Sequence, residues 1–172
     1  MREFAAPLSV DIPSTGNLTD DVVTNARDFP DAVVFSRNDG GTWTDVTAAE
    51  FLAEVQQVAK GLIGAGIAPG DRVALLSKTR YEWTLLDYAI WFAGAVTVPV
   101  YETSSAEQVQ WILEDSAAVA IVAETTEHRD RVLPLQGELA ALKHIWTLDH
   151  GGLEEVVEHG RDVSDDDLEV RR

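Results

Sequence analysis

The sequence lacks cysteine and has few basic residues. The absence of cysteine among its 172 residues excludes disulfide bonds, thiolate catalysis and cysteine metal sites, whatever the redox compartment. Lysine and arginine number 13 against 30 aspartates and glutamates, so the formal net charge is −17. Nucleic acid is therefore not an expected partner, because binding a phosphate backbone requires clustered cations that release its counterions.

Signals for secretion or membrane insertion are also missing. The N-terminal stretch MREFAAP has no apolar core of the length that a secretory signal requires, which predicts a cytoplasmic protein. The run from Trp83 to Tyr101 approaches the roughly 20 apolar residues that cross a bilayer. It contains Asp87, Gly94 and Pro99, and its second half is β-branched, so a buried helix followed by a buried strand is the better interpretation.

Motifs for catalysis or metal binding are not found. There is no Gly-x-Ser-x-Gly elbow that would activate a serine. The four histidines have no spacing typical of metal ligands, and we expect them at the surface: His128, His144, His150 and His159. We therefore predict no catalytic residue and no metal site.

A glycine-rich run over residues 61–70 invites comparison with a dinucleotide-binding loop. Pro69 stands where the third glycine of such a loop belongs, and the run closes a helix, whereas a phosphate-binding loop follows a strand. Glycine is common at the ends of helices. The run is predicted to terminate a helix.

Short apolar runs rich in valine and isoleucine alternate with longer helical runs, mainly between residues 71 and 124. This pattern is typical of a parallel sheet with crossover helices, so the predicted fold class is α/β, with a Rossmann- or flavodoxin-like subdomain. Asn38-Asp39-Gly40-Gly41 predicts the turn of a small N-terminal β-hairpin. The strands predicted for the sheet are Arg72 to Ser77, Ala95 to Tyr101, Val119 to Ala123 and Ile145 to Leu148.

Three segments are predicted along the chain. Residues 1–16 form an extended N-terminal arm, residues 17–160 the α/β subdomain, and residues 161–172 an acidic tail. The tail has almost no apolar residues, so we expect it to be disordered on its own. The five tryptophans are expected in the core, because each lies in a patterned helix or strand: Trp43, Trp83, Trp91, Trp111 and Trp146.

An ordered series of sequence blocks resembles the N-terminal region of AMP-forming acyl-CoA synthetases. The blocks are Gly70 to Ala74, Trp83, Ala89 to Val96, Val98 to Tyr101, Thr103 to Ser105, Gln108-Val109 and Ile112-Leu113. The segment Tyr101 to Ser105 resembles the long-chain fatty acid branch in particular. The resemblance covers residues 17–149 and implies an intact enzyme that activates a long-chain fatty acid with ATP to acyl-AMP. The acyl group would then pass to coenzyme A, with magnesium as the metal.

The nucleotide-binding residues of that family are not found in this sequence. The resemblance implies a phosphate-cradling loop of Ser, Thr and Gly near a Lys, a Glu for magnesium, an Asp for the ribose and a late Lys, all downstream of the matched region. We therefore expect an N-terminal fragment, inactive alone, whose acidic tail leads to the remainder. Fatty acid and nucleotide would bind only together with the downstream domains, and peripheral membrane association of the intact enzyme is left open.

Two other classes of function stay open. One is a stand-alone nucleotide-binding module with a flavodoxin-like sheet. The other is an interaction module, in which the arm of residues 1–16 clasps a second copy to form a homodimer.

Two strand ends suggest where a ligand would bind. In an open parallel sheet, ligands lie beyond the carboxyl ends of the strands, and polar or aromatic residues follow two such ends here. We expect them to face one edge, where the intact enzyme would bring acyl chain and adenylate together. The alternative is that Lys78 and Arg80 are solvated loop cations and that Thr103 and Ser104 only cap a helix, for which Ser105 is a second candidate cap. The substrate-edge candidates are Ser77, Lys78, Tyr81, Tyr101, Thr103 and Ser104.

Overall fold

The computed structural model describes residues 15–172, which form alternating strands and helices. In chain order the elements are α1 (Thr19–Asp28), β1 (Val33–Asp39), β2 (Thr42–Thr47), α2 (Ala48–Gly64), β3 (Arg72–Leu76), α3 (Tyr81–Phe92), β4 (Val96–Val100), α4 (Ala106–Ser116), β5 (Ala120–Ala123), α5 (Thr126–Val132), β6 (His144–Thr147), α6 (Gly152–His159) and α7 (Asp165–Arg171). Short 3₁₀ turns follow α5 and β6.

A four-stranded parallel sheet with the order β4-β3-β5-β6 lies at the centre. The crossover helices α3, α4 and α5 connect its strands. The chain first steps outward from β3 to β4 and then returns past β3 to β5, so the carboxyl ends of β3 and β5 meet where the winding direction changes. β1 and β2 form a separate antiparallel pair. The sheet and the hairpin confirm the predicted α/β fold.

Two apolar layers cover the two faces of the sheet. Alternate residues of a strand point to opposite faces. Val73 and Leu75 accordingly pack with α2, α3 and α6, whereas Ala74 and Leu76 pack with α4 and α5. Every residue of α3 is buried or half-buried, which confirms the enclosed helix expected from its apolar sequence. The strand after it was expected to be buried too, but β4 lies at the edge of the sheet and its residues Val96 and Pro99 are exposed.

The glycine-rich run closes α2, as predicted, but two of its glycines have a different purpose. Gly61 and Gly64 lie against the main chain of α6, where a Cβ atom would stand 2.2 Å from the Val156 carbonyl oxygen and 1.9 Å from that of His159. Gly66, at φ +90°, adopts the left-handed conformation that ends the helix. Close helix packing therefore explains the first two glycines, and termination explains the third.

The acidic tail is ordered as part of the protein, where it forms α7. Ser164 and Asp167 form a capping box at the start of α7, and three acidic residues in its first turn complement the helix dipole. Leu168 is buried in the core, and the guanidinium of Arg172 pairs with Asp20 at 2.5 Å. Contacts with the rest of the protein thus stabilise a helix that its composition alone would not form.

The expectations for tryptophan and histidine are only partly met. Trp146 is buried and Trp83 and Trp91 are half-buried, but Trp43 and Trp111 are 68% and 65% exposed. Trp111 lies two residues from both Val109 and Leu113, the buried residues of α4, and so faces away from the core.

Among the histidines, His128 is buried and His144 is half-buried, which corrects the expected surface positions. His144 stacks on Trp146, with ring centroids 4.9 Å apart. His159 is exposed, as expected.

Within residues 15–172, none of the helices has the length and apolar character needed to cross a bilayer. Nearly all of the predicted N-terminal arm, residues 1–14, lies outside the described residues. The exterior is not evenly polar, since several large apolar side chains are exposed, among them Phe29, Val96 and Tyr101.

Candidate functional site

Two of the predicted polar segments emerge side by side at the carboxyl edge of the sheet. β3 and β4 are paired in parallel with Leu76 opposite Val100, so the residues that follow them are neighbours. They form the walls of a cleft of about 460 Å³, called the β3–β4 cleft below. Ser77, Lys78 and Tyr101 all line it, together with Thr79, Trp83, Pro99, Val100 and Glu102.

Tyr81 lies apart from this cleft. It is the first residue of α3 and lines a second cleft, of about 600 Å³, beneath the β1–β2 hairpin. Its hydroxyl donates a hydrogen bond to Glu54 of α2 at 2.9 Å, and the Arg37 guanidinium lies 5.4 Å from its ring centroid. Burial and the Glu54 hydrogen bond raise the pKa of Tyr81 well above its usual value. This tyrosine packs against the hairpin, and of the other candidates Lys78 also lines this second cleft.

Thr103 and Ser104 do not line the β3–β4 cleft. Thr103 is exposed, while Ser104 is buried and its N–H donates a hydrogen bond to the Tyr101 carbonyl at 3.0 Å. Neither residue caps α4. That cap is Ser105, whose hydroxyl accepts the Gln108 N–H at 3.3 Å while the Gln108 side chain accepts the Ser105 N–H at 2.9 Å.

A buried carboxylate that the sequence analysis missed lies between the ends of β3 and β5. Glu124 follows β5 directly and its side chain is only 4% exposed. One carboxylate oxygen accepts the main-chain N–H of Lys78 at 3.0 Å, and the other lies 3.0 Å from the Lys78 ammonium nitrogen. Arg80 approaches the same carboxylate at 3.6 Å and also pairs with Glu82. Lys78 and Arg80 are therefore paired cations of the β3–α3 loop.

The pKa of Glu124 reflects two opposing effects. Burial raises the pKa of this carboxyl group, because the charged form loses hydration. The hydrogen bonds and charge of Lys78, with the charge of Arg80, outweigh burial and lower the pKa below its ordinary value. Glu124 is consequently ionised at neutral pH.

A second missed residue, Arg131 of α5, contacts the other wall of the β3–β4 cleft. Its guanidinium donates hydrogen bonds to the main-chain carbonyls of Glu102 and Ser104, at 2.9 and 3.2 Å. It also pairs with Glu127, one helical turn earlier, at 2.8 Å. Of Glu124 and Arg131, only Glu124 could have been suspected from the sequence. It directly follows a four-residue apolar strand, and a charged group in such a position needs a partner in the fold.

Comparison with known proteins agrees with this architecture. Residues 22–170 match the family model described as AMP-binding enzyme. The chain belongs to this family. The long-chain-fatty-acid–CoA ligase FadD15 of Mycobacterium tuberculosis is 44% identical over 174 residues, which is 99% of this chain and 29% of that protein. A second ligase of this type, ACSBG2 of Xenopus laevis, is 28% identical over 68% of this chain and 16% of its own length.

Solved structures of other proteins share the fold. The apo structure of MbtA from Mycobacterium smegmatis has a TM-score of 0.72 and 28% identity, covering 86% of this chain and 28% of its own. The N-terminal domain of FACL13 from Mycobacterium tuberculosis also has a TM-score of 0.72, at 24% identity, over 87% of this chain and 36% of its own. The chain thus spans less than a third of the FadD15 length and resembles an N-terminal domain.

The β3–β4 cleft is lined by both apolar and polar residues, and the described residues offer no metal site. The cleft is lined by the apolar residues Trp83, Pro99 and Val100 and by polar residues that include Ser77, Thr79 and Lys78. In the part of the chain that the structure describes, no group of three or more His, Asp or Glu side chains is arranged to hold a metal ion. These side chains therefore do not fit the magnesium that the resemblance implies.

Proposed function

We propose that this chain is the N-terminal scaffold of an ATP-dependent long-chain fatty acid–CoA ligase. The observation that carries the proposal is the 44% identity to FadD15 across 99% of the chain. The intact enzyme would form acyl-AMP from a long-chain fatty acid and ATP, and would then transfer the acyl group to coenzyme A. Positive groups that stabilise the charge developing at the α-phosphate would supply much of the catalysis.

The contribution of these residues would be binding and support. The β3–β4 cleft lies at the sheet edge where ligands of α/β folds bind, and it presents Ser77, Lys78 and Tyr101. The phosphate loop and the residues for magnesium and ribose would come from the part of the enzyme that this chain does not match. The chain alone is therefore expected to form neither acyl-AMP nor acyl-CoA.

A hybrid enzyme tests this function. The matched 29% of FadD15 is replaced by this chain, and acyl-CoA formation from palmitate, ATP and coenzyme A is measured with magnesium present. We expect the hybrid to form palmitoyl-CoA and the 172-residue chain alone to be inactive. Acyl-AMP synthesis by the isolated chain, or a folded hybrid without activity, would contradict the proposal.

Two alternatives have their own readouts on the isolated chain. Calorimetric titration with ATP or AMP that gave tight binding would favour a stand-alone nucleotide-binding module. A concentration-dependent mass in sedimentation that disappears on deletion of residues 1–16 would favour a dimerisation module.

The cellular setting proposed for the enzyme is the cytoplasm, without nucleic acid as a partner. Peripheral membrane association is compatible with a long-chain fatty acid substrate. Fractionation of cells that express the intact enzyme distinguishes the soluble and membrane-associated forms.

A further inference from the structure

We propose that Glu124 and Arg131 are positioning residues that together set the width of the β3–β4 cleft. Each holds one wall of the cleft, and both belong to the single segment formed by β5 and α5. The effect of this arrangement on acyl-CoA formation rests on the proposed function, whereas the arrangement itself can be tested on the isolated chain.

The first wall is the β3–α3 loop. Glu124 contacts both the main chain and the side chains of this loop. The carboxylate accepts the Lys78 N–H at 3.0 Å and lies 3.4 Å from the Ser77 hydroxyl. The turn after β6 adds to this contact, since Asp149 lies 3.8 Å from Arg80. Movement of the loop would leave the ionised Glu124 buried without a partner, which is strongly unfavourable. The loop is thus restrained to one position.

The second wall is the β4–α4 loop, whose main-chain carbonyls are hydrogen-bonded by Arg131. One guanidinium nitrogen bonds the Glu102 and Ser104 carbonyls, and another pairs with Glu127. A planar guanidinium can make these contacts at once, because its donors point in fixed directions. A lysine ammonium at this position would reach fewer of them.

One rigid segment supports both walls. Glu124 directly follows β5, and Arg131 lies seven residues later, on α5. The Thr125 hydroxyl caps this helix by accepting the His128 N–H at 3.2 Å. β5 itself is a central strand, paired with β3 on one side and β6 on the other. The distance between the walls is therefore fixed by a part of the core, which prepares the cleft for a ligand before it binds.

Distance measurements across the cleft test the positioning role. The chain has no cysteine, so the exposed residues Thr79 and Thr103 can be changed to cysteine and labelled specifically with nitroxides. Dipolar EPR spectroscopy then gives the distribution of distances between the two walls. We expect Glu124→Ala and Arg131→Met each to broaden this distribution at least twofold, and Glu124→Gln and Arg131→Lys to have intermediate effects.

Two substitutions serve as controls. Glu114→Gln and Arg129→Met change exposed or half-exposed charges on α4 and α5 that contact neither wall, and the distribution should stay as in the parent. Circular dichroism confirms that each variant is folded before it is measured. If Glu124→Ala does not fold, Glu124→Gln and the two Arg131 variants still decide the outcome. Distributions in these variants that match the parent would overturn the proposal.

The hybrid enzyme supplies a functional readout. Glu124→Gln and Arg131→Lys in the hybrid should raise KM for at least one substrate at least fivefold while kcat changes less than twofold. A lower kcat with unchanged KM would mean that a smaller fraction of the enzyme is active. That result would indicate a merely structural role and would contradict the functional part of the inference. An inactive parent hybrid would instead contradict the proposed function and leave the EPR result to decide the positioning role.

Discussion

Gly61 of α2 lies directly against the main-chain carbonyl of Val156 in α6. A Cβ atom at position 61 would stand 2.2 Å from that oxygen and 2.6 Å from its carbon. These are backbone atoms, which cannot rotate away as a flexible side chain could. The two helices therefore approach each other more closely than any residue but glycine allows.

Gly61→Ala should destabilise the protein, because the added methyl group forces α2 and α6 apart. Overpacking of this kind costs about 1–3 kcal/mol, and the rigid obstacle places the expected loss at the upper end. Urea denaturation followed by circular dichroism measures the change in free energy of unfolding. Gly137→Ala is the matched control, since a Cβ at position 137 meets no atom within 4 Å, and it should change stability by less than about 0.5 kcal/mol.

The lowered pKa of Glu124 predicts a specific dependence of stability on pH. A carboxyl group with a lower pKa in the folded than in the unfolded protein stabilises the fold above the unfolded pKa, and this stability is lost as pH falls through the folded pKa. Glu124→Gln should therefore be less stable than the parent at pH 7. The expected loss in free energy of unfolding is about 1–3 kcal/mol, because a hydrogen-bonding group loses its charge. The difference should shrink as the pH is lowered below the ordinary glutamate value of 4.5.

Chemical denaturation of parent and variant at several pH values between 3 and 7 measures this convergence. Glu114→Gln, on the exposed face of α4, is the control and should run parallel to the parent. A gap between Glu124→Gln and the parent that stays constant over this range would contradict the inferred ion pairing.

The parallel sheet and its edge were predictable because local patterns decide them. Short valine-rich runs alternating with helical runs require crossover connections, and parallel strands then end at a common edge. Because parallel strands end at one edge, Ser77 and Lys78 after β3 are expected to lie next to Tyr101 after β4. Tyr81 lines the cleft beneath the hairpin, which Lys78 also lines. Its neighbours depend on where the β1–β2 hairpin packs, and no local pattern specifies that position.

The contacts of the two residues that hold the cleft walls were not predictable from the chain, since their partners are distant in sequence. Glu124 contacts Lys78 across 46 positions, and Arg131 contacts Glu102 across 29. Arg131 looks like an ordinary surface charge in the sequence. The apolar strand before Glu124 indicates that this carboxylate needs a partner, but it does not indicate which residue that partner is. The order of α7 likewise depends on distant partners, because a single buried leucine and a few ion pairs replace the apolar face that its sequence lacks.

The unequal burial of the tryptophans predicts unequal effects of their removal. Trp146 is 2% exposed and stacks on His144, so Trp146→Ala should cost about 3–5 kcal/mol, as for other large-to-small changes in a core. Trp111 is 65% exposed, and Trp111→Ala should change stability by no more than about 0.5 kcal/mol. Thermal and urea denaturation of the two variants measure this contrast. Similar losses in both would show that Trp111 packs against the core.

The helix α7 provides a test of the order found in the acidic tail. Leu168 is 3% exposed and belongs to the larger apolar cluster, whereas Val170, two residues later, is 87% exposed. Leu168→Ala should therefore cost about 2–4 kcal/mol, because it removes buried methyl groups and leaves a cavity. Val170→Ala removes a similar kind of side chain from the solvent-facing side of the same helix, and its effect should stay within about 0.5 kcal/mol. A Leu168→Ala variant as stable as Val170→Ala would mean that residues 165–171 do not pack on the core in solution.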